Sequence, residues 1–170
     1  MLGALYNFGR RWRLRQYVRK GLQIAPDCRL MGIPDFGSEP YLISIGRHVT
    51  VSTRVTFINH DGGTWVFRDQ PRYSEVIKFG RIVIHDNCFI GSGATLMPGV
   101  SVGPNSVVAA HSVVTQDVPP NTVAVGVPAR VLMTVEEYAE KALAQTPAYD
   151  RTAYKNDKAG ELVRLFPRPW

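Results

Sequence analysis

The clearest pattern in this chain is an aliphatic residue at every sixth position between Ile84 and Pro119. A small or medium-sized residue follows each of them four positions later. This period fits neither an α-helix, which repeats every ~3.6 residues, nor a strand, which alternates every ~2. Short repeats at a fixed period are typical of β-helices. The aliphatic positions are Ile84, Ile90, Leu96, Val102, Val108 and Val114, and the positions that follow them are Cys88, Ala94, Val100, Ser106, Ser112 and Val118.

The repeat predicts an all-β fold, a parallel β-helix in which three repeats close one triangular coil. The aliphatic positions then point inward and stack, while backbone groups pair with coils about 4.8 Å above and below. The alternative is an antiparallel sandwich, but its turn signals recur every ~8–12 residues and do not keep one phase over six repeats. Four glycines are expected at the tight corners of the coils. They are Gly91, Gly93, Gly99 and Gly103.

The same repeat occurs upstream in a different register. It places Ile45, Val51 and Phe57 inward, but the interval from Phe57 to Ile84 is not a multiple of six, so the phase slips between them. Residues 61–79 are rich in turn formers and in side chains that contact ligands. We therefore expect residues 61–79 to form a loop that leaves the prism.

The pattern divides the chain into three parts. A weaker run of inward positions at Ile24, Leu30 and Phe36 indicates where the β-helix starts. We expect a basic N-terminal helical segment over 1–22, the β-helix over 23–131, and a C-terminal helix and tail over 132–170. Residues 134–137 (Thr-Val-Glu-Glu) form a capping box, which predicts a helix through about Ala144. The tail that follows is expected to be an end cap or a subunit contact.

The net charge of +6 comes from the N-terminus. Residues 1–20 hold six basic residues and no acidic one, and the other 14 basic residues balance the 14 acidic ones. One interpretation is a basic helix that contacts an anionic membrane surface. The other is a cap over the open end of the β-helix, which solenoids require. No nucleic-acid-binding motif accompanies the charge, so we expect no nucleic-acid partner.

Composition and targeting signals indicate a cytoplasmic protein. No apolar run approaches the ~20 residues needed to cross a bilayer. The first residues lack the charge order of a signal peptide. Cys28 and Cys88 both fall on inward small positions, which favours two small core residues over a disulfide or a catalytic thiol.

Three motifs resemble the hexapeptide-repeat acyltransferases, in particular the maltose- and galactoside-acetyltransferase-like enzymes and the acetyltransferases of capsule and exopolysaccharide clusters. The motifs are residues 57–61 (Phe-Ile-Asn-His-Asp) before a long loop, 113–121 (Val-Val-Thr-Gln-Asp-Val-Pro-Pro-Asn) and 126–131 (Gly-Val-Pro-Ala-Arg-Val). The resemblance implies a left-handed β-helix and a homotrimer with active sites between subunits. It also implies acetyl-CoA as co-substrate, a sugar or glycan acceptor and no metal.

Acyl transfer to a hydroxyl needs a base beside the acceptor, and a neutral histidine suits this role because its ordinary pKa lies near ~6.5. His60 is our candidate, because it faces away from the apolar ladder at the point where the chain enters the loop. His48 and His111 share its position in the repeat and are interpreted as surface or cap residues. Asp61 is expected to orient His60 or to bind the acceptor.

The resemblance also suggests binding residues. Trp65, Arg68 and Tyr73 of the loop have the aromatic faces and guanidinium donors that suit sugars, and His85 is a further candidate contact with the acceptor. The backbone from Gly91 to Gly93 is expected to face the oxyanion. For acetyl-CoA the candidates are Gly91, Ala109, Ala110 and Arg130.

Three alternatives stay open from the sequence. One is N-acetylation of an amino-sugar nucleotide, since the acceptor is decided by a loop with no diagnostic motif. Another is a non-catalytic trimeric scaffold. The third is a zinc carbonic anhydrase, but its three converging histidines are not matched by the spacing of His48 and His60, which places them on different faces.

Overall fold

The computed structural model describes residues 12–167, and within them thirteen short strands wind into a three-faced prism. Successive strands visit three sheets in turn, and most pair in parallel with the strand three further along the chain. The first face contains β1, β3, β6 and β9, the second β2, β4, β7, β10, β12 and β13, and the third β5, β8 and β11. The parallel β-helix expected from the repeat is therefore confirmed. The strands are β1 (Gln23–Ile24), β2 (Arg29–Leu30), β3 (Ile43–Ile45), β4 (Thr50–Val51), β5 (Thr56–Phe57), β6 (Ile82–Ile84), β7 (Phe89–Ile90), β8 (Thr95–Leu96), β9 (Ser101–Val102), β10 (Val107–Val108), β11 (Val113–Val114), β12 (Thr122–Gly126) and β13 (Ala129–Thr134).

The core is a stack of the inward positions that the repeat identifies. All six aliphatic positions from Ile84 to Val114 are buried, and so are the six smaller residues that follow them. Partners in adjacent coils are in register, as for Leu96 beside Phe57 on one side and Val114 on the other. Each ladder thus buries one apolar side chain per coil, which is the main favourable term in folding such a repeat.

The corners that follow β3, β4 and β6 to β10 turn through a left-handed residue at the third position after the inward aliphatic residue. Between Asn87 and His111 every sixth residue has positive φ, and these residues are asparagine, glycine or histidine. Asparagine and glycine tolerate that conformation best. Gly93 and Gly99 match the prediction, whereas Gly91 and Gly103 do not have positive φ. Gly91 and Gly103 are required to be glycine for a different reason, because a Cβ at either position would overlap the backbone of the next coil.

Two coils carry insertions at one and the same corner, between the third and the first face. Regular coils place ladder partners eighteen residues apart, as for Val83 and Ser101. The first coil is longer and contains the 3₁₀ turn Pro40–Leu42. The second contains the loop predicted over 61–79, with 3₁₀ turns Gly62–Phe67 and Pro71–Tyr73. We call this edge of the prism the insertion corner.

The start of the prism is covered by a helix, α1, over residues 12–19. Its side chains Leu14 and Tyr17 pack on the core. The Tyr17 ring lies 5.0 Å from the Phe36 ring, which in turn lies 5.2 Å from that of Phe57. The cap interpretation therefore holds for this helix, while residues 1–11 of the basic segment lie outside the described residues.

At the other end the hairpin β12–β13 closes the prism, and the chain divides there into two compact units, Met1–Glu136 and Glu137–Trp170. The helix predicted from the capping box is α2 (Val135–Gln145). The tail forms two more helices that were not predicted, α3 (Arg151–Asn156) and α4 (Lys158–Leu165). Their first turns are capped by Asp150 and Asp157.

Across residues 12–167, no helix is both long enough and apolar enough to cross a membrane.

Candidate functional site

The loop over 61–79 is closed at its base by a short antiparallel ladder. The Gly80 N–H donates to the Asn59 carbonyl at 2.9 Å, and the Asp61 N–H donates to the Lys78 carbonyl at 2.9 Å. His60 and Phe79 form the bridge between these two bonds. The backbone of His60 is thereby fixed on both sides at the point where the chain leaves the prism.

The His60 side chain lies between an aromatic ring and a carboxylate. Its ring centroid is 5.6 Å from that of Phe79, a residue that is 52% exposed. Its Nδ1 lies 2.8 Å from Oε2 of Glu39. The imidazole is 43% exposed, whereas the Glu39 side chain is only 16% exposed. One ring nitrogen is thus engaged by the protein, and the ring remains accessible.

Glu39 was not identified from the sequence. It lies in the three-residue insertion of the first coil, four positions after Asp35, and His60 lies four positions after Thr56, the bridge partner of Asp35. Glu39 and His60 therefore occupy equivalent positions on adjacent coils at the insertion corner. This equivalence depends on how adjacent coils are aligned, and the sequence of a single repeat does not contain that information.

The Glu39 carboxylate is ionised in this environment. Its partial burial raises its pKa, but hydrogen bonds from Ser38 and His60 and the charge of His60 outweigh burial and hold the pKa below its usual value. An ionised carboxylate only accepts hydrogen bonds, so the proton between the two groups belongs to His60 Nδ1.

Asp61 does not contact His60, contrary to one of its expected roles. Its carboxylate binds Lys78 Nζ at 2.6 Å and accepts the Gly63 N–H at 2.9 Å. These contacts lower its pKa, chiefly through the hydrogen bond from Lys78. Asp61 thus ties the two ends of the loop together and caps the 3₁₀ turn that follows it.

The three loop residues proposed to contact the acceptor differ in exposure. Trp65 is 78% exposed, and Arg68 is half-buried. Tyr73 packs edge-on against Phe67 with ring centroids 5.7 Å apart, and the guanidinium of Arg72 lies 5.4 Å from its centroid. Tyr73 therefore belongs to the small apolar centre of the loop, and Trp65 is one of the large side chains that the loop exposes to solvent.

The remaining histidines lie on other corners. His85 Nε2 is 3.1 Å from Ser101 Oγ, between the first and second faces. His48, on the same corner, places Nδ1 2.7 Å from Oδ1 of Asn87. His48 and His111 adopt the left-handed conformation of a regular corner, with φ of 54° and 57°. Their position in the repeat is thus explained by the turn.

The candidate acetyl-CoA residues Gly91, Ala109 and Ala110 lie together on adjacent coils, at the corner between the second and third faces. The N–H groups of Gly91 and Ala109 donate to carbonyls of the next coil. The Gly93 N–H donates to the Thr53 carbonyl, so neither it nor the Gly91 N–H is an available oxyanion donor as expected. Arg130 is exposed on β13.

One chain does not bring these residues to His60. The insertion corner and the Gly91 corner lie on opposite sides of the third face. A face of six residues spans up to about 20 Å.

Among the side chains of residues 12–167, no three histidine, cysteine, aspartate or glutamate groups are gathered as metal ligands would be.

Both cysteines are structural. The Cys28 thiol donates to the Gly46 carbonyl at 2.9 Å and the Cys88 thiol to the Gly103 carbonyl at 3.0 Å. Burial raises the pKa of both thiols, which keeps them protonated.

Comparison with known proteins identifies the family. Residues 81–116 match the bacterial transferase hexapeptide (six repeats) family. The chain is 44% identical over 152 residues to Protein CapG of Staphylococcus aureus, covering 88% of this chain and 87% of that protein. It is 38% identical over 99 residues to the galactoside O-acetyltransferase of Escherichia coli K12, covering 58% of this chain and 47% of that enzyme.

A solved structure agrees with this match. The hexapeptide-repeat-containing acetyltransferase of Vibrio cholerae superposes with a TM-score of 0.51 at 25% identity, covering 74% of this chain and 81% of that one. The chain belongs to the hexapeptide-repeat acyltransferases and is an acyltransferase enzyme. Membership of this family implies left-handed winding of the β-helix.

Proposed function

We propose that this protein transfers an acetyl group from acetyl-CoA to a hydroxyl of a sugar or polysaccharide precursor, with His60 as the general base. The observation that carries the proposal is the placement of His60. It is an accessible imidazole, fixed at the insertion corner and held by Glu39, beside an exposed aromatic ring. The galactoside O-acetyltransferase among the relatives supports a sugar hydroxyl as acceptor.

In the proposed reaction His60 removes the proton of the acceptor hydroxyl as the hydroxyl oxygen attacks the thioester carbonyl. The tetrahedral intermediate then expels the coenzyme A thiolate, which takes the proton from the imidazolium. The acetyl group passes directly to the acceptor, and no bond to the protein forms. A general base of this kind typically contributes about 10²–10⁴-fold to the rate.

The expected binding residues fall into two groups. Asp61, Trp65, Arg68 and Tyr73 are proposed on the acceptor side at the insertion corner, with Trp65 and the Asp61–Lys78 pair shaping the loop beside His60. His85 is also proposed on the acceptor side, although within one chain it lies on the corner between the first and second faces. Gly91, Ala109, Ala110 and Arg130 are proposed to contact acetyl-CoA.

We propose a homotrimer in which the two groups meet across subunits. Within one chain they occupy different corners of the prism, so a complete site needs the insertion corner of one copy next to the Gly91 corner of another. Hexapeptide-repeat acetyltransferases are typically trimeric, which fits this requirement. Analytical ultracentrifugation tests it, and a purely monomeric protein with full activity would exclude the shared site.

Thiol release from acetyl-CoA, measured with a panel of galactosides, glucosides and amino-sugar nucleotides, tests the reaction itself. The His60→Ala variant is compared with His111→Asn, because His111 shares the repeat position and asparagine tolerates its positive φ. We expect release with a sugar hydroxyl, lost in His60→Ala and retained in His111→Asn. Acetylation of amino groups alone would show that the protein is an N-acetyltransferase and not an O-acetyltransferase. Absence of thiol release with every acceptor would favour a non-catalytic scaffold.

We further propose that the outer face of α1 makes a peripheral contact with an anionic membrane. Trp12 and Val18 are 57% and 47% exposed there, next to Arg13, Arg15 and Arg19. Because Leu14 and Tyr17 cap the core, deleting the helix would confound the test, and reversing the charge of the three arginines is preferable. We expect the wild type to sediment with phosphatidylglycerol vesicles and the triple Arg→Glu variant to stay in solution. Equal sedimentation would refute the contact.

A further inference from the structure

Two residues to which the sequence assigned no role contact His60 or its carboxylate partner. Glu39 and Asn59 both lie at the insertion corner. Glu39 Oε2 lies 2.8 Å from His60 Nδ1, and Asn59 Nδ2 donates to the Glu39 backbone carbonyl at 2.7 Å. A chain of contacts therefore runs from a buried amide through the Glu39 segment to the imidazole.

The contact with Glu39 distinguishes the two ring nitrogens of His60. A carboxylate only accepts hydrogen bonds, so it stabilises the tautomer in which Nδ1 carries the proton. Nε2 then keeps its lone pair and is the nitrogen able to take a proton from an acceptor. Because the Glu39 side chain is 16% exposed, solvent competes little for this bond.

Asn59 fixes the backbone that carries Glu39. It is 1% exposed, and its backbone carbonyl also accepts the Gly80 N–H at the base of the loop. Its side-chain Oδ1 is buried without a hydrogen-bond partner in the described part of the chain. A buried amide oxygen that accepts no hydrogen bond lowers the stability of the folded protein. Rotating the amide would place this oxygen against the Glu39 carbonyl, so the observed orientation keeps the one bond that holds the Glu39 segment.

We propose that Glu39 and Asn59 are positioning residues for acyl transfer: Glu39 holds His60 as the Nδ1–H tautomer with Nε2 towards the acceptor, and Asn59 holds Glu39. The proposal rests on the proposed function for its catalytic consequence. Its structural part, the tautomer of His60, is independent of activity.

The direct test is long-range ¹H–¹⁵N correlation NMR of histidine-labelled protein at a pH where His60 is neutral. We expect His60 as the Nδ1–H tautomer in the wild type and a shift towards Nε2–H in Glu39→Ala. Glu39→Gln, whose amide oxygen still accepts from Nδ1–H, should retain the wild-type tautomer. The spectra of the other three histidines report whether each variant is folded.

Kinetics provide the second measurement. We expect Glu39→Ala to lower kcat by about 10- to 10⁴-fold, with the KM for acetyl-CoA unchanged, because the base is presented in the wrong tautomer. Glu39→Gln should recover part of this loss, and Asn59→Ala should show a smaller loss in the same direction. Glu75→Ala, which removes an exposed carboxylate from the loop, is the matched control and should behave as wild type.

The outcomes separate this inference from the proposed function. A Glu39→Ala variant with the wild-type tautomer and the wild-type kcat would overturn the positioning role. If His60→Ala has lost activity in the same experiment, the proposed function still stands. If the wild type transfers acetyl to no acceptor, the proposed function fails, and the tautomer comparison still decides the role of Glu39.

Discussion

Replacing Gly80 by alanine should damage both the prism and the base of the loop. A Cβ at this position would lie 2.6 Å from the carbonyl carbon of Pro98 and 2.7 Å from Cα of Gly99, and would also overlap the Gly99 nitrogen. These are backbone atoms of the next coil, so no side chain can move aside. The coils must separate locally, and overpacking of this kind costs about 1–3 kcal/mol. For a chain of this size that corresponds to a drop in Tm of about 3–10 °C.

Gly62→Ala is the matched control, because a Cβ there has no neighbour within 4 Å. We expect its Tm to change by less than about 2 °C. Thermal unfolding followed by circular dichroism, at one protein concentration for all variants, provides the measurement. Because the Gly80 N–H donates to Asn59, we also expect Gly80→Ala to lose activity. Equal Tm values for the two variants would refute the close packing of the coils at the insertion corner.

Three further predictions concern other parts of the chain. The hydrogen bonds of Glu161, chiefly with Arg164, lower its pKa from 4.5 to about 2, so its contribution to tail stability persists above pH 4.5 and is lost as the pH falls towards 2. Helix content should fall over that range in the wild type, and a Glu161→Gln variant with the same acid profile would contradict this. Cys88 in the folded protein should react with iodoacetamide far more slowly than after unfolding, since burial raises its pKa, and rapid labelling would show that the thiol is accessible. Phe79→Ala should raise the KM of the acceptor about 2- to 10-fold and leave that of acetyl-CoA unchanged, whereas an unchanged acceptor KM would exclude Phe79 from the site.

The prism could be predicted from the sequence because each repeat carries its own signal. An inward aliphatic residue and a small residue four positions later recur with one phase, and local periodicity is enough to define a coil. The phase slip after Phe57 likewise located the loop. The winding direction could not be read from the repeat, since both hands bury the same positions, and it follows from the family.

The candidate site was only partly accessible from the sequence. His60 was identified because it faces away from the apolar ladder at the point where the chain enters the loop, and its role as base stays a prediction. Glu39 was missed because its contact with His60 depends on matching insertions in two coils. Asp61 was expected to orient His60 or to bind the acceptor. Neighbouring side chains on an extended segment point apart, and the Asp61 carboxylate binds Lys78 rather than His60.

The helices of the tail were missed for a related reason. They are short, and their stability comes from side-chain contacts more than from a long apolar period. Asp150 and Asp157 cap their first turns, and Glu161 accepts the Asp150 N–H at 2.9 Å while pairing with Arg164. Such contacts become visible only when the two helices are placed side by side.

The role of His60 as general base in acetyl transfer is tested by comparing wild type and His60→Ala in two assays on the same samples. Calorimetry measures acetyl-CoA binding, and thiol release in the presence of a sugar acceptor measures transfer. We expect equal binding by both proteins and a rate about 10²–10⁴-fold lower in His60→Ala. Turnover by His60→Ala close to that of wild type would contradict the assignment of the base, and absence of acetyl-CoA binding in both would contradict the proposed reaction itself.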